Sequence, residues 1–284
     1  MPRKNPLIKP YLKWAGGKRQ LLPEIKRYLP SRINNYTYIE PFIGAGAVFF
    51  DLQPRRAIIN DFNSQLVLSY NVIKDHVEDL IEALEVHREN NTEEYFYEIR
   101  SLDRNINEFN NMTDIEKAAR LIFLNKTCYN GLYRVNSQGL FNVPYGRYRN
   151  PAICEAPVLR AISTYLSNNE IDIMNGDFAA AVQNADRRTF VYFDPPYHSP
   201  NNTNFTGYQA DGFDDNEQLR LRDTFVDLTN QGVKCLLSNS DTEFIRYIYA
   251  DDRFEIINIL ARRAINADAA GRGTVNEVLI KNWR

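Results

Sequence analysis

TYIEPFIGAGAVFFDL, residues 37 to 52, changes periodicity partway through. Its first seven residues, TYIEPFI, are apolar, aromatic and β-rich, as in a strand, whereas GAGAVFFDL takes helical spacing. Strand, glycine turn and helix in succession form the unit from which an α/β sheet is built. Working outward, AIIND (57–61) reads as a second short strand. Further strands are predicted at IDIMNGD (171–177), TFVYFD (189–194), VKCLLSNS (233–240), FEIINIL (254–260) and VNEVLIKNW near the end, with helices between most of them. Ser64 to Arg120 differs: VIKDHVEDLIEALEVH and EEYFYEIRSL have helical periodicity and lack buried strands, so this stretch reads as a separate helical unit. After it, CYNGLYRVNSQGLFNVPYG places turn residues between short aromatic and β-branched runs, as in a hairpin or extended loop. The expected architecture is an α/β sheet domain from residues 1–68 and 166–284, interrupted by a domain of residues 69–165 that is mainly helical and carries a β-hairpin. No internal repeat or low-complexity segment interrupts it.

A chain of 284 residues that is 44% apolar can bury a full core. No stretch approaches the roughly 18 to 20 apolar residues of a membrane span, and the basic start MPRKNPLIKPYLKW lacks a signal-peptide core, so a cytoplasmic protein with no membrane partner is expected. Cys128, Cys154 and Cys235 are far apart and form no CxxC or Cys/His pair, which argues against disulfides and zinc. The net charge of −2 conceals two basic runs. Residues 1–32 hold nine Lys/Arg against the single Glu24, and Lys117, Arg120, Lys126, Arg134, Arg147 and Arg149 occur with no carboxylate among them. One such run is commonly a solvated face, but two in a mildly acidic chain point to a polyanion.

The sharpest motif is Asp194-Pro195-Pro196-Tyr197, directly after the apolar strand TFVYF. Ligands of open α/β sheets bind at the carboxyl ends of strands, and two prolines make a stiff turn there. Stiffness suits chemistry on an exocyclic aromatic amine, whose lone pair is delocalised until acceptors draw its hydrogens out of the ring plane. The Asp194 carboxylate and Pro195 carbonyl can accept from such an amine, and Tyr197 can stack on the base. A base inside a duplex must be flipped out to reach them. Pro41-Phe42-Ile43-Gly44-Ala45-Gly46 lacks the third glycine of a dinucleotide fingerprint. Paired with Asp61 some 20 residues on, placed to accept from a ribose, it suits an adenosine cofactor. Tyr11-Leu12-Lys13-Trp14-Ala15-Gly16-Gly17-Lys18 does not satisfy a Walker loop, which lowers phosphoryl transfer. In Asn175-Gly176-Asp177-Phe178, the acid and the ring could pair with and cover an adenine, although an ordinary turn reads the same.

The order WAGGK, EPFIGAG, IIND, NGDF, DPPY resembles the Dam-like branch of the adenine-N6 DNA methyltransferases, GATC-type enzymes that include the double-strand modification methylases of Dpn-type restriction systems. The likeness covers nearly the whole chain, including NKTCYNGLYRVNSQGLFNVPYGRYRNP, which resembles that branch's DNA-reading hairpin, and the late segment ARRAINADAAGR. It implies a Rossmann-like S-adenosylmethionine-dependent sheet, a GATC target in double-stranded DNA, and a cognate restriction endonuclease as a partner in function only. It also implies that Tyr11, Trp14, Lys18, Pro41, Phe42, Gly44 and Gly46 line the cofactor pocket. Asp61 would hold the ribose, Asp177 and Phe178 the adenine, and Asp194 would face both cofactor and target; no metal is expected. In the hairpin, Tyr129 would intrude into the base stack, Asn130 would meet the site beside it, and Arg134 would read a guanine. Lys13, Pro144 and Tyr148 would be lesser base contacts, and Lys126, Arg147 and Arg149 would bind phosphates. Tyr133 and Asn201 to Asn204 depart from the branch's commonest pattern. The competing readings are a cytosine-N4 or RNA-base methyltransferase and, from another class, a non-catalytic nucleic-acid-binding protein, which leaves DPPY unexplained.

Overall fold

The computed structural model describes residues 4–14, 18–199, 213–262 and 274–283. Ala15 to Gly17, Asn201 to Asn204 and most of ARRAINADAAGR lie outside the described residues. Seven strands form one sheet: β1 (Thr37–Glu40), β2 (Arg56–Asp61), β3 (Glu170–Asn175), β4 (Thr189–Phe193), β5 (Lys234–Ser240), β6 (Glu255–Arg262) and β7 (Thr274–Lys281). Their spatial order is β3-β2-β1-β4-β5-β7-β6. The first five are parallel, while β7 runs antiparallel to both β5 and β6. Ile39 of β1 pairs with Ile58 of β2 on one side and Val191 of β4 on the other.

The helices are α1 (Leu22–Arg27), α2 (Ala47–Leu52), α3 (Ser64–Asp75), α4 (Val77–Glu89), α5 (Glu93–Ser101), α6 (Ile106–Asn111), α7 (Asp114–Thr127), α8 (Ala156–Ser167), α9 (Phe178–Val182), α10 (Asp215–Asn230) and α11 (Glu243–Ile248). Most begin where a side chain caps the first free N–H groups. Asn63, Thr92, Asn105, Thr113, Asp177, Asp214 and Thr242 all cap this way, and Thr113 with Glu116 completes a reciprocal capping box.

Apolar runs in β1, β4 and β5 follow from helices covering both faces of the sheet. Tyr38, Phe190, Tyr192 and Leu236 enter one core, and Ile39, Val191, Phe193, Cys235 and Leu237, alternating with them, enter the other. The first core continues without a break through Tyr70, Leu80, Phe96, Phe123 and Ile162 into the helical segment between β2 and β3. That segment therefore shares a core with the sheet, and residues 68/69 and 165/166 fall inside α3 and α8. Periodicity shows that a helix is amphipathic but not whose apolar face it meets. Between Cys128 and Arg147 the chain turns back on itself with two isolated antiparallel bridges, Cys128 to Tyr145 and Val135 to Phe141, in place of regular strands. Among the described residues no helix is long and apolar enough to cross a membrane.

Candidate active site and DNA-facing loop

Strand order reverses between β1 and β4, and the crevice outside the carboxyl ends at such a reversal is where open α/β sheets bind ligands. The two sharpest motifs meet there. From β1 the chain passes through Pro41 and Phe42 into a turn in which Gly44 and Gly46 take left-handed φ values of 49° and 72°. A Cβ on Gly44 would lie 2.9 Å from the Trp14 ring, and one on Gly46 would lie 2.8 Å from the Tyr70 hydroxyl, so conformation and close approach both demand glycine. Buried Asn60 fixes the turn by donating to the Pro41 and Gly176 carbonyls at 2.9 and 3.0 Å, and its own carbonyl accepts from Ile43 N–H. At the end of β2, Asp61 accepts from the N–H groups of Gly44 and Asn63 at 2.9 and 3.0 Å. Burial raises its carboxyl above the ordinary range, and those N–H groups oppose the rise. Phe62, next in the chain, is 58% exposed.

Tyr11 sits one layer behind. Its hydroxyl bonds to Ser69, its ring meets Tyr70 edge-on, and the Tyr70 hydroxyl donates to Gly44 O. Asp177 caps α9 and receives both guanidinium arms of Arg220, at 2.9 and 2.6 Å, which hold its carboxyl below the ordinary range. Phe178 is buried, packs against Phe42, and carries the Arg220 guanidinium on its ring at 4.2 Å.

The second motif is held from below. Asp194 follows β4 and accepts from Ser238 Oγ of β5 at 3.0 Å. Buried Gln218 of α10 donates to Pro196 O at 2.9 Å and is itself held by buried Asn239, which also accepts from His198 N–H. Tyr197 donates to Glu277 of β7 at 2.8 Å. Lys18 reaches the same spot from the N-terminal segment, with its Nζ 2.8 Å from Asp194 Oδ1 and 4.4 Å from the Tyr197 ring centre. Burial raises the Asp194 carboxyl above the ordinary range, and Lys18 is the main opposing influence.

The turned-back loop carries the expected DNA-facing residues apart from this cluster. Tyr129 is half exposed at the head of the loop, followed by Asn130 at a left-handed φ of 58°. Arg134, exposed, donates through Nε to Asn142 across the loop at 2.7 Å. Pro144 is exposed, and its carbonyl accepts from Tyr129 N–H. Tyr148 lies under the Lys13 ammonium, and Arg147 pairs with Glu93 on the surface. The basic run is smaller than its residue count. Arg120 is buried against Asp103, while Lys126 and Lys9 share the carboxylate of Glu155. Contacts on its inner side tie the loop to the crevice and to the N-terminal segment. Trp14, which lies against Gly44, stacks on Tyr133 of the loop with ring centres 5.0 Å apart. Buried Asn125 bonds both the N–H and carbonyl of Lys13 and the carbonyl of Gly131.

Asn60, Phe62, Asn125, Gln218, Arg220, Ser238 and Asn239 escaped the sequence reading. The polar end of VKCLLSNS was a usable signal, because Ser and Asn closing an apolar strand must bond to something. Gln218 and Asn125 lie inside helical patterns and give none.

The description "D12 class N6 adenine-specific DNA methyltransferase" matches residues 14–265. A Type II methyltransferase of Lactococcus lactis subsp. cremoris is 46% identical over 277 residues, covering 97% of this chain and 96% of its own. A Type II methyltransferase of Methanocaldococcus jannaschii is 42% identical over 293 residues, covering 97% and 99%. The DNA adenine methylase of Escherichia coli is 34% identical over 273 residues, covering 95% and 93%. Sheet order, motif placement and these likenesses agree: the chain belongs to the D12-class N6 adenine-specific DNA methyltransferases, a family that implies S-adenosylmethionine as methyl donor and DNA as substrate.

Proposed function

We propose that this enzyme methylates adenine N6 within GATC of duplex DNA, on a base flipped out of the helix, with residues 69–165 as the target-recognition segment. The observation that carries the reading is the meeting of Asp194-Pro195-Pro196-Tyr197 with the Gly44–Gly46 turn across one crevice at the reversal of strand order. The crevice suits S-adenosylmethionine. Gly44 and Gly46 hold a tight left-handed turn, a Cβ on Gly176 would meet nothing within 4 Å, and Asp61 and Asp177 supply carboxylates at the ends of β2 and β3. Asp61 takes the ribose, and Asp177 with Phe178 takes the adenine, beside Pro41, Phe42 and Trp14. When bound, the cofactor supplies a methyl group on a sulfonium, an electrophile sufficient for direct attack without a metal.

The protein's part is to shape the nucleophile. Asp194 and the Pro195 carbonyl accept the two amino hydrogens, which draws the nitrogen lone pair out of the ring and stabilises the positive charge that develops on it. Tyr197, anchored by Glu277, offers a ring to the flipped base and offsets part of its lost stacking. Tyr129 fills the gap in the helix and Asn130 meets the site beside it. Arg134 reads a guanine, with Lys13, Pro144 and Tyr148 as lesser contacts and Lys126, Arg147 and Arg149 toward the phosphates. The two relatives of higher identity are named Type II methyltransferases, which supports a restriction-modification role with a cognate endonuclease acting on the same site.

Incubation with methyl-labelled S-adenosylmethionine and duplexes carrying GATC or single substitutions of it tests this reading. Label is expected in N6-methyladenine from GATC alone, and Asp194→Ala is expected to lower turnover by at least about 10²-fold. Label on cytosine, or normal turnover by the variant, would refute the assigned chemistry.

A further inference from the structure

We propose that Lys18 is a positioning residue of the methyl-transfer site: its ammonium stands in for the target amino group on Asp194 and Tyr197, keeping the carboxylate an acceptor until the flipped base displaces it. The proposal rests on the acceptor role assigned to Asp194 above. Lys18, one of the residues that the family resemblance places in the cofactor pocket, has its Nζ 2.8 Å from Asp194 Oδ1, with side-chain exposures of only 6% and 17%. The same ammonium is 4.4 Å from the Tyr197 ring centre. An aryl amine about to be methylated needs both features, a carboxylate oxygen for its N–H and a ring face for its base. A purine laid on Tyr197 and the cation cannot share that face, so the lysine must withdraw as the base arrives.

A counter-ion is needed because the surroundings otherwise disfavour a charged Asp194. Glu40 and Tyr38 of β1, Tyr192 of β4, Tyr197 and Ser238 of β5 face it, and Glu277 of β7 is joined to the group through the Tyr197 hydroxyl. Two of these are carboxyls and three are phenols. Buried Glu40 accepts from the Tyr38 hydroxyl, and burial pushes its carboxyl well above the ordinary range, so one lysine serves two acids and the ion pair forms with Asp194. A protonated Asp194 would offer one fewer acceptor to the amine. The sign follows. Methyl transfer needs the ionised acid and is lost as pH falls through its titration; removing Lys18 removes the main influence lowering that titration, so the acid limb must move upward.

The test is the pH profile of single-turnover methyl transfer by the full-length enzyme, with saturating DNA and S-adenosylmethionine, for wild type, Lys18→Met and Lys18→Arg. The acid limb of Lys18→Met is expected about one pH unit or more above wild type, with most of the rate regained on its alkaline side, and Lys18→Arg is expected to stay near wild type. A fluorescent 2-aminopurine at the target position should flip in Lys18→Met at least as readily as in wild type, since the stand-in is gone. A rate loss that is the same at every pH, or impaired flipping, would overturn the proposal. Should Lys18→Met fold poorly, the Lys18→Met/Asp194→Asn double variant decides: regained thermal stability supports the pair, and additive losses refute it. An active Asp194→Ala enzyme would break the acceptor reading itself. An inactive one beside an unmoved Lys18→Met limb would break only the role of Lys18.

Discussion

Arg134 shows what a single side chain can and cannot contribute. Its Nε is spent on Asn142 across the loop, which fixes the guanidinium at an exposed position. A fork held in this way matches the two major-groove acceptors of guanine, which a lysine's point charge cannot do. Arg134→Ala is therefore expected to lower discrimination at one base pair by about 1 to 3 kcal/mol, and Arg134→Lys to recover little of it. Binding to duplexes substituted singly at each position of the site measures this; a uniform loss across all of them would make Arg134 a phosphate contact instead. At this scale DPPY was legible because its chemistry is local: the acid, the stiff turn and the ring are consecutive. The partners of Lys126 and Asp177 were not, because Glu155 and Arg220 are distant in sequence.

Elements add what residues lack, a way to hold separate segments together. Asn125, on the last turns of α7, satisfies the N–H and carbonyl of Lys13 and the carbonyl of Gly131, joining the N-terminal segment to the start of the loop. Asn125→Leu keeps the side chain's bulk but strands three polar groups. Since each stranded group costs about 1 to 3 kcal/mol, the thermal midpoint should fall by several degrees, and DNA affinity should fall with it. Calorimetry and binding measured on the same preparation test this; full affinity in a destabilised protein would show that the loop keeps its shape without the clamp. The sheet elements were readable because an apolar run between turn residues announces a buried strand. The loop's pairing was not, since two isolated bridges leave no alternating pattern.

The molecule as a whole is mildly acidic yet belongs to a family that handles a polyanion, so the placement of charge governs affinity. Lys126 and Lys9 are held by Glu155 and Arg120 by Asp103, whereas Arg149 is exposed just after the turned-back loop. Affinity for DNA should fall as salt rises. Arg149→Gln should flatten the slope of log affinity against log salt by about one, while Lys126→Gln should change it less. A salt titration of the two variants beside wild type decides, and equal slopes would mean that Glu155 releases its lysines to the DNA.

Sequence alone determined the alternation of strands and helices, the strand ends on which the acids and glycines stand, and the order of motifs that points to adenine-N6 methylation, because each is written within a few consecutive residues. Tertiary structure alone decided that the helical segment shares the sheet's core, that Lys18 meets Asp194, and that Asn60, Asn125, Gln218 and Asn239 brace the turns from beneath. The reason is physical: a buried charge or amide is stabilised by whatever the fold brings within about 3 Å of it, and in these cases the partner comes from a distant part of the chain.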